Sequence, residues 1–439
     1  LGGNGATSAA VGSTGGTITP GVGGTGNLAI GNLTLDGAST FAVDFDGANA
    51  DGLTVTGTVA LAGALTPNVI SDPTAYIITL IDNDGTADLT TGTFTGIADG
   101  DTVTYGTAEY RLFYNGGDGN DVILVSTAPP STIYIDDDFA GTQGLFIDGD
   151  LEEAGQQFAI YDTSAFNSVE DALNKYANYT GTIIVNGGTY ASTIDLTSAS
   201  NGAGVIALQF VNDLTNGESS IEVTDFNGDA SDTLDSSLHG TAIDLTTTGG
   251  AFAGIISGSG GITLNDGSVG NTLTLSGANT YSGDTTVTSG TLSVTNTSGS
   301  ATGSGAVTVA SGTSLIGTGS IDGTVTAQDG AFVAPGLAGT TNIEDIDTGD
   351  LTLDAGSTLT IEISDAPAND RINVTGNVVI NGADLDLVVF GTAPTSGTFT
   401  IIDNIGTATT TTGTFNGLAE GSIVSLDVGG QANQLFRIS

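Results

Sequence analysis

The chain has 439 residues, with 69 Gly, no Cys, Met or Trp, and 49 acidic against 4 basic side chains, a formal net charge of −45. Such a chain has no basic patch to neutralise phosphates, which excludes a nucleic-acid partner and disfavours anionic membrane surfaces. Without Cys there is no disulfide, thiol nucleophile or thiolate metal site, whereas 38% hydrophobic residues are enough for a buried core.

Residues 1–126 read as short β-strands separated by Gly-rich turns, and we predict a β-solenoid or β-sandwich-like module. Its "LTLDGAST" at 33–40 and "TGTFTGIADG" at 91–100 recur as "LTLDAGST" at 351–358 and "TGTFNGLAEG" at 412–421. The chain therefore contains two copies of one β module. The first copy continues into "NGGDGNDVILV" at 115–125.

Residues 127–180 are predicted to form a Pro-containing linker followed by the capping segment of a solenoid. Asn167 or Ser168 is a candidate helix cap, and apolar side chains recur at helical spacing after it. We therefore predict a short helix near 168–177, the only convincing helix in the sequence.

Residues 181–330 alternate apolar with Thr or Ser side chains in short runs broken by Gly and Asn, as in "LTLSGANTYSGDTTVTSGTLSV" at 273–294. Period-2 alternation buries one face of each strand. Even, short strands of this kind suit a solenoid, in which each coil buries its inner face against the next.

Residues 331–439 are the second, truncated copy of the module, and they end where the continuation of the first copy would begin. We expect either a longer parent chain or a neighbouring subunit to complete this module. An uncovered strand edge invites pairing with another chain, so head-to-tail self-association is expected at Phe436, Arg437, Ile438 and Ser439.

The segment "GGITLNDGSVGNTLTLSGANTYSGDTTVTSGTLSV" at 260–294 closely resembles the autotransporter-associated β-strand repeat. The helix-then-strand passage at 165–190 is similar to the opening of pectate-lyase-like β-helices. These resemblances imply an all-β chain built as a right-handed parallel β-helix with a short capping helix, and a secreted stalk or fibre. Because the sequence ends "FRIS" where a whole autotransporter continues into a membrane barrel, we expect a passenger-like part or a member exported by another route.

Three acidic stretches are candidate structural calcium sites. "GGDGNDVIL" at 116–124 fits a nonapeptide that binds calcium in stacked β-rolls, but a single copy favours a tight turn. "DFNGDASD" at 225–232 has the alternate spacing of an EF-hand loop but lacks its Gly and final Glu, which favours a solvated turn. "YIDDDF" at 134–139 places three carboxylates together, which repel unless a cation intervenes. The candidate ligands are Asp118, Asp121, Asp136, Asp137, Asp138, Asp225, Asn227 and Asp229.

No catalytic constellation is evident, and we expect no enzyme activity and no cofactor other than calcium. A β-helix lyase needs several basic residues, whereas this chain has four scattered ones. We predict an extracellular structural segment of a bacterial surface fibre, stalk or adhesin, with surface glycans as possible ligands. A β-helix enzyme acting on polysaccharide and a glycan-binding adhesin are the alternatives. No apolar run approaches the ~18 residues of a membrane span, so no membrane insertion is expected.

Overall fold

The structure is a computed structural model. It describes residues 1–83, 88–137, 139, 146–148, 158–160, 163–176, 178–190, 193–197, 206–211, 220–223, 226–236, 244–265, 267, 270–336, 343–364, 369–389, 397–407, 409–426 and 434–437. Strands account for 54% of it and helix for 2%, which confirms the all-β, parallel β-helical prediction.

The chain divides into two compact units, the first consisting mainly of Leu1–Tyr134 and the second mainly of Ser168–Ser439. Segments 181–330 and 331–439 both fall in the second unit. Among the described residues, no helix is long and apolar enough to cross a membrane.

The strands of the first 126 residues are β1 (Gly2–Gly3), β2 (Gly5–Ala6), β3 (Val11–Ser13), β4 (Thr17–Pro20), β5 (Asn27–Ile30), β6 (Leu33–Leu35), β7 (Thr40–Asp46), β8 (Asn49–Ala50), β9 (Gly52–Val55), β10 (Val59–Leu61), β11 (Ala64–Ser71), β12 (Ile77–Asn83), β13 (Thr90–Gly92), β14 (Thr102–Tyr105), β15 (Ala108–Gly116) and β16 (Asp121–Ser126).

The following elements are β17 (Thr132–Ile135), β18 (Phe146–Asp148), β19 (Phe158–Ile160), β20 (Ala165–Phe166), α1 (Val169–Lys175), β21 (Gly181–Asn186), β22 (Gly188–Thr189), β23 (Ile194–Asp195), β24 (Ile206–Val211), β25 (Ser220–Val223), β26 (Phe226–Asn227), β27 (Thr233–Asp235), β28 (Asp244–Thr247), β29 (Gly250–Phe252), β30 (Ile255–Ser257) and β31 (Ile262–Leu264).

The remaining strands are β32 (Thr272–Leu275), β33 (Thr285–Val287), β34 (Thr291–Val294), β35 (Val307–Val309), β36 (Ser314–Gly317), β37 (Ser320–Ile321), β38 (Val325–Ala327), β39 (Phe332–Pro335), β40 (Asp345–Thr348), β41 (Leu351–Leu353), β42 (Thr358–Ile363), β43 (Arg371–Val374), β44 (Val378–Asn381), β45 (Asp384–Val389), β46 (Ile402–Asn404), β47 (Thr411–Thr414), β48 (Ile423–Leu426) and β49 (Gln434–Arg437).

The first unit is a three-sided solenoid whose coils each add one strand to three parallel sheets. The sheets run β1-β4-β7-β11, β3-β6-β10-β13 and β2-β5-β9-β12. The third sheet continues through antiparallel β16, β15 and β14. Most inward side chains are buried, and aromatic rings stack in the core, with Phe41 and Phe94 centroids 6.0 Å apart and Phe45 and Tyr105 centroids 4.8 Å apart.

In the second unit the coils stack in register over a longer distance. One parallel sheet contains ten strands, β22-β25-β28-β31-β33-β35-β38-β41-β44-β47, and a second contains seven, β29-β32-β34-β36-β39-β42-β45. Leu273 pairs with Leu292, Leu292 with Leu315, and Leu315 with Val333, and all four side chains are buried. The predicted period-2 alternation thus builds a continuous apolar ladder through the coils.

The predicted short helix is present as α1. Ser168 caps it with extended backbone, and its hydroxyl accepts a hydrogen bond from the Asp171 N–H. Val169, Ala172 and Leu173 form the buried face. The helix ends at Lys175, and the backbone of Tyr176 is no longer helical.

The repeated sequences occupy equivalent places in their coils. Leu33–Leu35 pairs with β10, which pairs with β13, and Leu351–Leu353 pairs with β44, which pairs with β47. Gly92 and Gly413 have φ near +80° (+74° and +81°), and a Cβ on either would lie 2.0 or 1.9 Å from the carbonyl oxygen of the strand beneath. The module repeat is therefore visible in backbone conformation as well as in sequence.

Candidate functional site

The first acidic stretch forms a turn between β15 and β16. The Gly119 N–H donates to the Gly116 carbonyl, and Asp121 is buried at the start of β16. The Asp121 Oδ1 accepts from the Asn83 N–H at 2.8 Å, and burial raises the pKa of this carboxyl to about 6. Asp121 thereby anchors β16 to β12, a role that its position in a calcium-type nonapeptide does not reveal.

Asp136 and Asp137 lie directly after β17, and Asp138 lies outside the described residues. Asp136 is buried, and its Oδ2 accepts from the Asn186 side-chain amide at 3.2 Å. Asp137 accepts from the Thr189 N–H at 3.2 Å. Asp136 and Asp137 belong to the second unit, and each contacts a different donor within it.

In the acidic stretch at 225–232, Asp225 lies outside the described residues, while Asn227 and Asp229 have separate partners. The Asn227 Oδ1 accepts from the Ala251 N–H at 2.8 Å, which ties one coil to the next. The Asp229 N–H donates to Asp232 Oδ2 at 2.8 Å. Within the described part of the chain, no group of three or more His, Cys, Asp or Glu side chains is placed to hold a metal ion.

Buried carboxylates at coil corners form a class of site that lies outside most of the predicted acidic motifs. Asp51 accepts from the N–H groups of Gly26 and Asp44, and Asp232 accepts from those of Ile206 and Asp229. In each case one side chain satisfies two backbone donors that the turn would leave unpaired. Burial raises the pKa of both carboxyls.

Asp370 occupies this corner position in the second copy. It accepts from Glu344 N–H at 2.9 Å and Glu362 N–H at 3.0 Å, and only 2% of the residue is exposed. Burial, supported by the neighbouring glutamates, raises the pKa of Asp370 to about 6. The available sequence signal is an Asp one or two residues before an apolar strand, as in "ANADGLTV" at 48–55 and "ANDRINV" at 368–374.

The motif "SGANTYSG" at 276–283 joins neighbouring coils through buried polar groups. The Asn279 Oδ1 accepts from the Ile256 N–H of the preceding coil at 2.8 Å, and its amide donates to the Ala301 carbonyl of the following coil at 2.5 Å. Tyr281 is fully buried, and its hydroxyl bonds Thr285 Oγ1 at 2.7 Å. One short motif therefore links three successive coils.

Two of the four predicted self-association residues, Phe436 and Arg437, lie within the described part of the second unit. Phe436 and Arg437 belong to β49, which pairs antiparallel with β48, while Ile438 and Ser439 lie outside the described residues. In the described part of the chain no third strand joins this hairpin. Beside it is a cavity of about 550 Å³, whose lining includes Leu385, Leu387 and Ile402.

These features define a parallel β-solenoid in which side-chain hydrogen bonds reinforce the backbone ladders between coils. Residues 270–294 match the family model of the passenger-associated-transport-repeat. This segment contains β32, β33 and β34 together with Asn279 and Tyr281. No curated protein matches the chain. The match supports a repeat of the autotransporter passenger type, and with it a surface-exposed protein secreted to the cell surface or beyond.

Proposed function

We propose that the chain is a structural segment of a bacterial surface fibre, stalk or adhesin, in which stacked coils act as a rigid spacer. The supporting observation is the ten-stranded parallel sheet of the second unit, which runs from β22 to β47 with one strand per coil. Neighbouring strands lie about 4.8 Å apart, so nine spacings extend the sheet by about 43 Å. Hydrogen bonds such as those of Asn279 resist separation of adjacent coils.

The charge of the chain suits an exposed, hydrated location. A net charge of −45 keeps the surface soluble, and salt or divalent cations screen the self-repulsion. Calcium is the cation that we propose for the acidic surface. Two of the four basic groups have local partners, since Arg371 pairs with Asp345 at 2.5 Å and the Arg111 Nε donates to the Gly100 carbonyl.

Immunogold electron microscopy of intact source cells tests the surface role. Antibodies against the purified chain are expected to label unpermeabilised cells, with gold particles standing off the membrane. Label that appears only after permeabilisation would contradict the proposal. A panel of neutral and acidic glycans, scored for saturable binding and for product release, tests the adhesin and enzyme alternatives on the same material.

We also propose head-to-tail association of the chain through strand edges. A heterologous contact of this kind produces open filaments. Electron microscopy of the purified chain at rising concentration, with and without calcium, is expected to show end-to-end filaments. Discrete particles at high concentration in the presence of calcium would count against association and would leave the spacer role untouched.

A further inference from the structure

In the first unit, β16 completes the coil that contains β12. It pairs antiparallel with β12 along Ile77–Ile81 and with β15 on its other side. Val122, Ile123 and Leu124 are all fully buried, so both faces of this strand contact apolar groups. Leu80 and Ile81 of β12 are also fully buried.

Among the described residues of the second unit, no strand pairs with β46 at the equivalent place. The "LIDN" of β12 at 80–83 corresponds to "IIDN" at 401–404, and Ile81 and Ile402 both pair with the preceding coil, opposite Leu53 and Ile372. Unlike their counterparts in β12, Ile401 and Ile402 are only half-buried. Residues 398–401 form no strand, whereas β12 is a strand over the matching positions 77–80.

The β14–β15 hairpin of the first unit and the β48–β49 hairpin of the second unit have the same pairing register. Arg111 lies opposite Thr102 across β14 and β15, and Arg437 lies opposite Ile423 across β48 and β49. Arg437 and Val424 form one wall of the cavity of about 550 Å³, and Leu385 and Leu387 of β45 form another. Thus β12 and β15, which hold β16 in the first unit, have counterparts in β46 and β49, and Ile402 of β46 and Arg437 of β49 both line the cavity.

A backbone N–H of β46 is also directed to the edge of β46 that faces away from β43. The Ile405 N–H donates to the Val374 carbonyl of β43. Because N–H directions alternate along a strand, the Asn404 N–H points to the opposite edge, away from β43. Its counterpart in the first unit is the Asn83 N–H, which the Asp121 carboxylate accepts at 2.8 Å.

We propose that this cavity is an acceptor site for a β-strand with the chemistry of Asp121–Ser126. The strand is apolar on both faces, runs antiparallel to β46, and begins with a carboxylate that accepts the Asn404 N–H. Its binding extends β46 backward over 398–401 and buries Ile401 and Ile402. The inference goes beyond the proposed function, since a strand can bind here whether or not whole chains associate.

A fluorescein-labelled peptide with the sequence of residues 115–126, NGGDGNDVILVS, tests the site on the full chain. Fluorescence anisotropy is expected to show saturable binding with one peptide per chain. Hydrogen exchange is expected to slow at 397–405 when the peptide binds. A matched peptide with Val122→Asp and Leu124→Asp is expected to bind at least tenfold more weakly, because buried apolar positions would carry charge.

Two variants of β45 distinguish peptide binding in the cavity from non-specific binding to the chain. Leu387 lines the cavity, whereas the adjacent Val388 is 40% exposed and does not. Leu387→Asn is expected to weaken binding at least tenfold, and Val388→Asn to leave it within twofold, with circular dichroism checking that both variants fold. No saturable binding, equal binding of the two peptides, or protection elsewhere than 397–405 would overturn the proposal. Any of these results would leave the surface role standing.

Discussion

The corner carboxylate Asp370 gives the most quantitative prediction from this structure. In the folded chain its pKa is raised to about 6 from an ordinary value of 3.8, chiefly by burial. Between these two values the folded state binds more protons than the unfolded state, so stability falls as pH rises. For this one group, linkage gives a loss of about 1 kcal/mol between pH 5 and pH 7, most of it between pH 5 and pH 6.

The Asp370→Asn substitution removes this titration while retaining one oxygen acceptor for the two backbone donors. The free energy of unfolding is measured by urea denaturation followed by circular dichroism, at pH 5 and at pH 7. The loss of this free energy between the two pH values is expected to be about 1 kcal/mol smaller in the variant than in the parent. Asp386→Asn is the matched control, because it removes the same formal charge from an exposed position on β45. Its pH dependence is expected to follow the parent.

Acidification also relieves the self-repulsion of a chain with 49 acidic side chains, so the parent slope alone does not isolate one group. The difference in pH dependence between Asp370→Asn and Asp386→Asn isolates the contribution of Asp370. Identical pH dependence in parent and Asp370→Asn would refute the assigned burial and its consequence for the pKa.

Three further predictions concern packing, backbone conformation and charge. Leu292→Ala, at a fully buried position of the apolar ladder, is expected to lower the free energy of unfolding by about 3 kcal/mol in a urea titration. Its control is Thr286→Ala on the outward face, which is expected to change the free energy of unfolding by no more than about 0.5 kcal/mol. Gly413→Ala places a Cβ 1.9 Å from the Ile380 carbonyl at φ +81°, so a loss of more than about 1 kcal/mol is expected, and an unchanged urea midpoint would contradict the geometry. Raising NaCl from low to physiological concentration is expected to raise the melting temperature in calorimetry, because the Debye length shrinks to about 8 Å, and a fall would contradict net self-repulsion.

Much of the fold follows from local pattern. The alternation around Leu273 and Leu292 requires strands with one buried face, and runs this short bury that face only by stacking. Ser168 followed by Glu170 and Asp171 specifies where α1 begins. These features depend on residues close in sequence, and they can therefore be predicted from the sequence alone.

The candidate sites depend on pairings that no local pattern contains. Asp121 anchors to Asn83 across 38 residues of chain, and Asn279 contacts coils 22 and 23 residues away on either side. The spacing of acidic residues in the sequence suggested calcium ligands. In the structure the side chains of Asp121 and Asn227 accept hydrogen bonds from backbone N–H groups of distant residues. Calcium binding itself stays a prediction, to be tested by calorimetric titration of the purified chain.

Parallel, in-register stacking of coils is the claim on which the rest depends, and engineered disulfides test it directly in a chain without cysteine. Thr286 and Thr308 are register partners on the outward face, and Thr326 is the next partner along the same sheet. Disulfides need Cα atoms about 4.4–6.8 Å apart, which adjacent strands satisfy and strands two coils apart do not. Under mild oxidation Thr286→Cys/Thr308→Cys is expected to cross-link within the chain and Thr286→Cys/Thr326→Cys is not. The reverse pattern, or no cross-link in a folded Thr286→Cys/Thr308→Cys chain, would contradict the stacked solenoid.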